Sequence, residues 1–167
     1  APALSFYGHD AWSEAAVVAA ANGALATDRS LLVATLVKQQ EARGASQAAK
    51  QAARLAEPGA AVVVTGQQAG LFGGPLFVLY KALATRIVAR RVEAARGRPV
   101  VPVFWVASDD HDFAEIRSAS ILDSASELRT VRYEPTREPA GQPAYRIVLD
   151  ASVSKLVDLL AEALPVT

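Results

Sequence analysis

Cysteine and methionine are both absent from this chain of 167 residues. The lack of cysteine excludes a disulfide framework, a cysteine-ligated metal site and a thiol nucleophile. It also fits a reducing compartment, so we expect a cytoplasmic protein. No apolar run approaches the roughly 20 residues that are needed to span a bilayer, and the first residues lack the regions of a signal peptide. Because position 1 is not methionine, we expect the chain to be processed or cut from something longer.

An excess of charge of either sign is absent as well. The 17 basic and 17 acidic residues cancel, so the sequence shows neither the basic footprint of a nucleic-acid-binding protein nor that of a membrane-surface protein. The length allows one domain of ordinary size with a core of its own. Composition therefore favours a globular protein without nucleic-acid or membrane partners.

The chain is organised around residues 62–82, which read VVVTGQQAGLFGGPLFVLYKA. The apolar run 60–65 is typical of a buried strand. A glycine-punctuated turn follows it, and Pro75 opens a helix that is expected to end near Gly97. A second apolar run, 100–106, completes a βαβ crossover. This order predicts an α/β fold with a Rossmann-like, doubly wound, mostly parallel sheet, of which the chain supplies the first half.

The remaining sequence predicts two regions. Residues 1–59 are rich in alanine and form an N-terminal helical lead, in which Asp10 and Asp28 start the first two helices. The turn residue His9 is expected to be structural. Residues 60–167 form the first half of the Rossmann-like core domain.

Three further short strands are predicted at 116–122, 128–133 and 144–149. A final amphipathic helix follows them, capped by Asp150 or Ser152.

The helix after Pro75 carries an apolar stripe that we expect to lie on the sheet. Its members are Leu76, Leu79, Tyr80, Leu83 and Ile87. On the same helix, Tyr80 and Lys81 are expected to serve packing and the surface and not to contact a ligand.

The first polar cluster follows the first strand. Gly66 is expected to allow a sharp exit from the strand, and Gln67 and Gln68 offer amide donors and acceptors. Gly73 and Gly74 would let a ligand approach the N–H groups at the helix start. The spacing matches neither the dinucleotide fingerprint GxGxxG nor the phosphate loop GxxxxGK[ST]. We predict a ligand-binding turn, with a plain glycine-rich connection as the alternative.

The second cluster follows the second strand and surrounds one imidazole, His111, with three carboxylates, Asp109, Asp110 and Asp112. Close like charges raise carboxylate pKa values and a protonated histidine lowers them, so such a group can perform acid–base chemistry. It could instead bind Mg²⁺ or a substrate ammonium. One histidine with several aspartates is a poor zinc set, and no metal site is predicted. The alternative is a solvated acidic turn that caps a short helix.

If the two strands are neighbours, both clusters open into one crevice at their carboxyl ends. The predicted catalytic residues are Asp110, His111 and Asp112. The predicted substrate- or nucleotide-binding residues are Thr65, Gly66, Gln67, Gln68, Gly73, Gly74, Trp105, Ser108 and Asp109.

Together the two clusters resemble the bacillithiol biosynthesis cysteine-adding enzyme family, BshC. The resemblance is carried by the segments VTGQQAGLF (64–72), GPL (74–76), YKA (80–82), PVVPVFWVAS (99–108) and DHDF (110–113). It covers about a third of the chain closely. The pair TGQQAGLF and SxDHDF at this spacing is far more specific than a generic glycine-rich motif.

The resemblance implies a ligase that joins cysteine to malate-linked glucosamine in the last step of bacillithiol biosynthesis. It implies a Rossmann-like, nucleotidyltransferase-like core and a long coiled coil through which the parent protein forms a homodimer. In that scheme the turn 65–75 takes the place of a HIGH-type nucleotide loop, although it contains no histidine, and ATP or ADP is the candidate cofactor. Family members are several times longer, so this chain resembles an N-terminal part that is expected to be inactive alone.

Two other functions remain open. One is a non-catalytic module that binds a nucleotide or a sugar phosphate. The other is a scaffold fragment whose exposed sheet edge and helix faces pair with another chain.

Overall fold

The computed structural model describes residues 10, 13–23, 28–139 and 141–164. Its helices are α1 (Glu14–Asn22), α2 (Ser30–Ala42), α3 (Ser46–Ala53), α4 (Leu76–Arg96), α5 (Phe113–Ile116) and α6 (Val153–Ala163). Its strands are β1 (Ala61–Gln68), β2 (Val100–Ala107), β3 (Ser118–Leu122) and β4 (Leu128–Arg132). Short 3-10 turns cover Arg54–Ala56, Leu71–Gly73 and Ala144–Arg146. The expected turn at His9 lies outside the described residues.

The chain divides into two compact units. The first falls within Ala1–Thr65 and Leu83–Val103, and the second within Gly66–Ala82 and Phe104–Thr167. The elements β1, α4 and β2 each have residues in both units. The division of the chain between residues 59 and 60 stays a prediction.

The predicted crossover at the centre of the chain is confirmed. Strand β1 leads into α4, and β2 returns to pair with β1 in a parallel, two-stranded sheet. Two expected boundaries hold: α4 starts directly after Pro75 and ends before Gly97, which has a φ of 63°. Glycine adopts this left-handed conformation without a steric penalty, and this explains the helix end.

Strand β1 is longer than predicted and continues to Gln68. In the second unit, the predicted strands at 116–122 and 128–133 appear as β3 and β4, which pair antiparallel in the register Ser118↔Arg132 to Leu122↔Leu128. The prediction of a strand at 144–149 is wrong. There the backbone forms a 3-10 turn, because the N–H groups of Ala144 and Tyr145 donate to the segment after β2 and not to a strand.

The N-terminal helices are present, but neither of the two expected caps holds. Ser13 and not Asp10 caps α1, since its hydroxyl accepts a hydrogen bond from the N–H of Ala16 at 3.3 Å. Asp28 does not cap α2 either, because Arg29 occupies the N-cap position without a side-chain cap; the carboxylate of Asp28 accepts from the N–H of Ser30 at 2.9 Å, one residue before the cap.

The face of α4 that packs in the first unit is not the predicted one. Its buried residues are Thr85, Ala89 and Val92, and Ala89 and Val92 join Ala61 and Val100 in the core. The predicted stripe is exposed, between 49% for Leu83 and 64% for Leu76. The members of that stripe are Leu76, Leu79, Tyr80, Leu83 and Ile87. The small side chains at positions i, i+4 and i+7 of α4 let its backbone lie close to β1 and β2. The bulky stripe on the other face of α4 is therefore left exposed to solvent. Within the described ranges, no helix has the length and apolarity to cross a membrane.

Glu93 on α4 links two other segments of the first unit. Its Oε2 accepts hydrogen bonds from the N–H of Val100 and from the guanidinium of Arg54, both at 2.8 Å. The bond from Val100, followed by the pairing with Arg54, lowers the pKa of Glu93 below 4.5.

We therefore expect Glu93→Gln to lower the free energy of unfolding by about 1 kcal/mol at pH 7, since a neutral amide accepts more weakly. A lowered pKa in the folded state stabilises the fold above the unfolded value, 4.5, and the effect is lost as pH falls through the folded value. Urea unfolding of both proteins between pH 7 and pH 3 should show that their free energies of unfolding become equal as pH falls. Glu41→Gln, at an exposed position of α2, is the control. A constant difference across that range would contradict the prediction.

Candidate functional site

Gly66 lies inside β1 and is not the exit from it. A Cβ at this position would stand 2.8 Å from the carbonyl oxygen of Trp105 and 3.2 Å from its Cβ. Glycine is therefore required by the close approach of β2 and not by a turn, which corrects the expected reason. The strand also carries Thr65, Gln67 and Gln68, all partly buried.

The turn proper comes after Gln68. Three consecutive residues have positive φ: Phe72 at 52°, Gly73 at 91° and Gly74 at 75°. The N–H groups of Gly73 and Gly74 donate within the loop, to the carbonyl oxygens of Gly70 and Leu71 at 3.1 and 3.0 Å. Residues 69–75 include no basic side chain, and the N–H groups of Gly73 and Gly74 are used within the loop, so in this conformation these two groups are not free to bind a phosphate. Ligand binding by the two glycines stays a prediction.

The two glutamines at the end of β1 are held by a lysine that the sequence interpretation assigned to packing and the surface. Lys81 on α4 donates to Oε1 of Gln67 at 2.8 Å and to the carbonyl oxygen of Gly66 at 3.1 Å. Nε2 of Gln67 in turn donates to Oε1 of Gln68 at 2.5 Å. The sequence contained a signal for this contact, because Lys81 lies six residues after Pro75, where its side chain can reach back to the strand end.

Gln68 brings the two predicted clusters together. Its Nε2 donates to Oε2 of Glu115 on α5 at 2.9 Å, and its side chain lowers the pKa of the nearby Asp110. Because β1 and β2 are neighbours, residues at their carboxyl ends share one edge, as the sequence predicted. Glu115 was missed, since the sequence offers no signal for an acidic residue in a one-turn helix.

Asp110 is an ionised carboxylate in this arrangement. The N–H of Asp112 donates to its Oδ1 at 3.0 Å. This bond, followed by the side chain of Gln68 and the neighbouring His111, lowers the pKa of Asp110 below its usual value. We expected close like charges to raise carboxylate pKa values, and for Asp110 that expectation is wrong because hydrogen bonds to its charged form dominate. Asp110 can accept a proton or bind a cation, but it holds no proton to donate at pH 7.

Asp112 has a structural task besides its predicted catalytic one. It caps α5, since its Oδ1 accepts a hydrogen bond from the N–H of Glu115 at 3.0 Å. This is the capping role that the sequence allowed as an alternative for the cluster.

The backbone of the second cluster is anchored by the turn at Ala144–Arg146. The N–H of Ala144 donates to the carbonyl oxygen of Asp110 at 2.8 Å, and that of Tyr145 to Ser108 at 2.9 Å. The cluster is thus a fixed turn and not a free loop.

The other predicted residues of the second cluster lie at the surface. Asp109, His111 and Asp112 are exposed, and Trp105 is 64% exposed, so it is not a core residue. Among the residues that the structure describes, no three histidine, aspartate or glutamate side chains form a group that could hold a metal ion. What the arrangement offers is an ionised carboxylate beside an accessible imidazole, a pair suited to binding and deprotonating an amine.

A cavity of about 170 Å³ lies in the second unit beside this edge. It is lined mainly by apolar groups, with Leu71 from the loop, Phe113 and Ile116 from α5, and Tyr133 after β4. The rings of Phe113 and Tyr133 meet edge to face, with centroids 6.3 Å apart. None of the predicted catalytic residues lines it. The polar edge and the apolar cavity are therefore separate features.

Comparison with known proteins gives one consistent match. Residues 3–167 match the family model described as "Bacillithiol biosynthesis BshC, N-terminal Rossmann-like domain". A protein of Salinibacter ruber is 40% identical over 163 residues, which is 96% of this chain and 30% of the relative. One of Symbiobacterium thermophilum is 37% identical over 146 residues, 87% of this chain and 26% of the relative. Both carry the name "Putative cysteine ligase BshC". The chain thus spans less than a third of the length of these relatives.

Proposed function

Because the chain belongs to the BshC family of bacillithiol biosynthesis, as its N-terminal Rossmann-like domain, we propose that it is the first part of a cysteine ligase. The fold class agrees, since a parallel β1–β2 pair with a crossover helix is the entry unit of such a domain. The proposed reaction adds cysteine to malate-linked glucosamine. We further propose that the parent protein acts as a homodimer.

One observation of the structure carries the assignment of the site. Gln68 of the first motif donates to the side chain of Glu115, and Asp112 of the second motif accepts from the N–H of the same residue, so both motifs are hydrogen-bonded to Glu115. Forming an amide joins the carboxyl carbon of cysteine to the nitrogen of the amino sugar, so the carboxyl group loses one oxygen and the nitrogen loses a proton, with net release of water. An ionised carboxylate can hold the ammonium form, and the imidazole of His111 can take a proton from it. We assign these roles to Asp110 and His111, with Asp112 as a further candidate.

The proposed binding residues belong to the two polar clusters and the strands that precede them. They are Thr65, Gly66, Gln67, Gln68, Gly73, Gly74, Trp105, Ser108 and Asp109. Because the N–H groups of Gly73 and Gly74 are not free to bind a phosphate in this conformation, as described above, no step of the proposal passes through ATP. The chain covers at most 30% of these relatives, and we propose that it is inactive by itself.

A mass-spectrometric assay for cysteine addition tests the proposal. It uses malate-linked glucosamine and cysteine, with and without ATP, and compares this chain with a full-length protein, meaning one that extends this chain to the length of its relatives. We expect product from the full-length protein only. Absence of product from a folded full-length protein would contradict the ligase proposal and favour a module that binds a nucleotide or a sugar phosphate. Product from the chain alone would contradict its proposed inactivity.

A further inference from the structure

A directional chain of hydrogen bonds runs through the second unit. It starts at Nζ of Lys81, passes through the amides of Gln67 and Gln68, and ends at the carboxylate of Glu115, with steps of 2.8, 2.5 and 2.9 Å. A lysine ammonium can only donate, and an ionised carboxylate can only accept. The two ends therefore dictate how both amides are oriented: Oε1 of Gln67 accepts from Lys81, Nε2 of Gln67 donates to Oε1 of Gln68, and Nε2 of Gln68 donates to Glu115.

Lys81 is well held at the start of this chain. Its Nζ also donates to the carbonyl oxygen of Gly66 at 3.1 Å and lies 5.2 Å from the ring centre of Phe77. The side chain is partly buried, and a desolvated cation over an aromatic face is stabilised by the ring quadrupole.

The reverse orientation of the amides is unfavourable at both ends. It would turn Oε1 of Gln68 towards Glu115 and Asp110, so that oxygen would face oxygen, and it would turn Nε2 of Gln67 towards the ammonium of Lys81. Hydrogen bonds that involve a charged partner are the strong ones. The charged donor of Lys81 therefore fixes the orientation of the amide of Gln67, and through it the orientation of the amide of Gln68.

We propose that Lys81 is a positioning residue, which orients Gln67 and Gln68 so that Gln68 donates to the carboxylate of Glu115 and turns its amide nitrogen towards Asp110. The importance of this for catalysis rests on the proposed ligase function, in which Asp110 must be ionised to bind the amine. The hydrogen-bond chain itself does not depend on that function.

Substitution of Lys81 in the full-length protein tests the proposal. We expect Lys81→Met to lower kcat/KM for the amino-sugar substrate about tenfold, the effect of one hydrogen bond to a charged group. Without a directed amide from Gln68, the pKa of Asp110 rises, so the acid limb of the kcat/KM profile moves to higher pH. Lys81→Arg keeps a charged donor and should restore both quantities in part. Lys155→Met, at an exposed position of α6, should change neither.

A second measurement does not require activity. The ¹³C carboxyl signal of Asp110, assigned with Asp110→Asn, is titrated in full-length wild type and in Lys81→Met. Asp109, His111, Asp112 and Glu115 are the titratable groups around it, and they are the same in both proteins. A midpoint that rises in Lys81→Met supports the proposal even if the wild type forms no product, which would contradict only the ligase function. An unchanged midpoint overturns it. Gln67→Met breaks the series of hydrogen bonds between Lys81 and Gln68, and this variant replaces Lys81→Met in the titration if Lys81→Met does not fold.

Discussion

Replacing Asp110 or His111 with alanine in the full-length protein is expected to lower turnover by at least about 10²-fold, the usual cost of losing a general acid or base. Asp110 is held in its ionised form by the N–H of Asp112 and the side chain of Gln68. His111 is exposed beside it, where a bound amine can reach the imidazole. The cysteine-addition assay measures the loss for each variant.

The two variants are informative because the backbone hydrogen bonds from Ala144 and Tyr145 to the turn remain in both of them. His111 is exposed and Asp110 is only partly buried, although Asp110→Ala also removes the hydrogen bond from the N–H of Asp112. Asp112→Ala would be a poorer test, since it also removes the cap of α5. Asp158→Ala, at an exposed position of α6, is the matched control and should retain full turnover. Unchanged turnover in both Asp110→Ala and His111→Ala would refute the assignment.

Signals between near neighbours in sequence predicted the fold well. Pro75 and Gly97 bound α4 because each has a backbone preference that acts at its own position. The apolar runs before and after α4 form the two paired strands. The expected burial of the first run is wrong in part, because Val62 and Val64 are 46% and 57% exposed. The family motifs were also recognised from sequence, and the match over residues 3–167 confirms that identification.

Signals that depend on a distant partner did not predict the structure. The stripe from Leu76 to Ile87 has helical periodicity, but periodicity does not say which of two faces packs, and the small side chains of Ala89 and Thr85 take that place. The expected strand at 144–149 lacks a strand partner because its donors are used by Asp110 and Ser108.

The same limit applies to the candidate site. The residue types of both clusters were visible in the sequence, but the link between them through Lys81, Gln68 and Glu115 joins positions up to 47 residues apart. Such links require the strand order and the position of α5, neither of which is a local property. The apolar stripe on α4 is the opposite case: its pattern is visible in the sequence, but its side chains remain 49–64% exposed among the described residues.

Gly66→Ala is expected to destabilise the protein by about 1–3 kcal/mol, the usual cost of overpacking a site whose neighbours cannot move. The added methyl group would lie 2.8 Å from a backbone oxygen, that of Trp105, so relief requires β1 and β2 to separate. The carbonyl oxygen of Gly66 also accepts a hydrogen bond from Lys81. A shift of the strand would therefore displace the lysine that orients the glutamines, and we expect turnover to fall together with stability.

Gly23→Ala is the matched control, because both substitutions reduce the backbone freedom of the unfolded chain equally. At Gly23 the nearest atom to a new Cβ is the carbonyl oxygen of Ala20, at the ordinary distance of 3.5 Å, and φ is −78°. The difference between the two variants in denaturant unfolding therefore isolates the clash with Trp105. Equal free energies of unfolding for both would show that β2 can move away from Gly66 at little cost. The tight contact between the strands would then explain neither the glycine nor the position of the two glutamines that follow it.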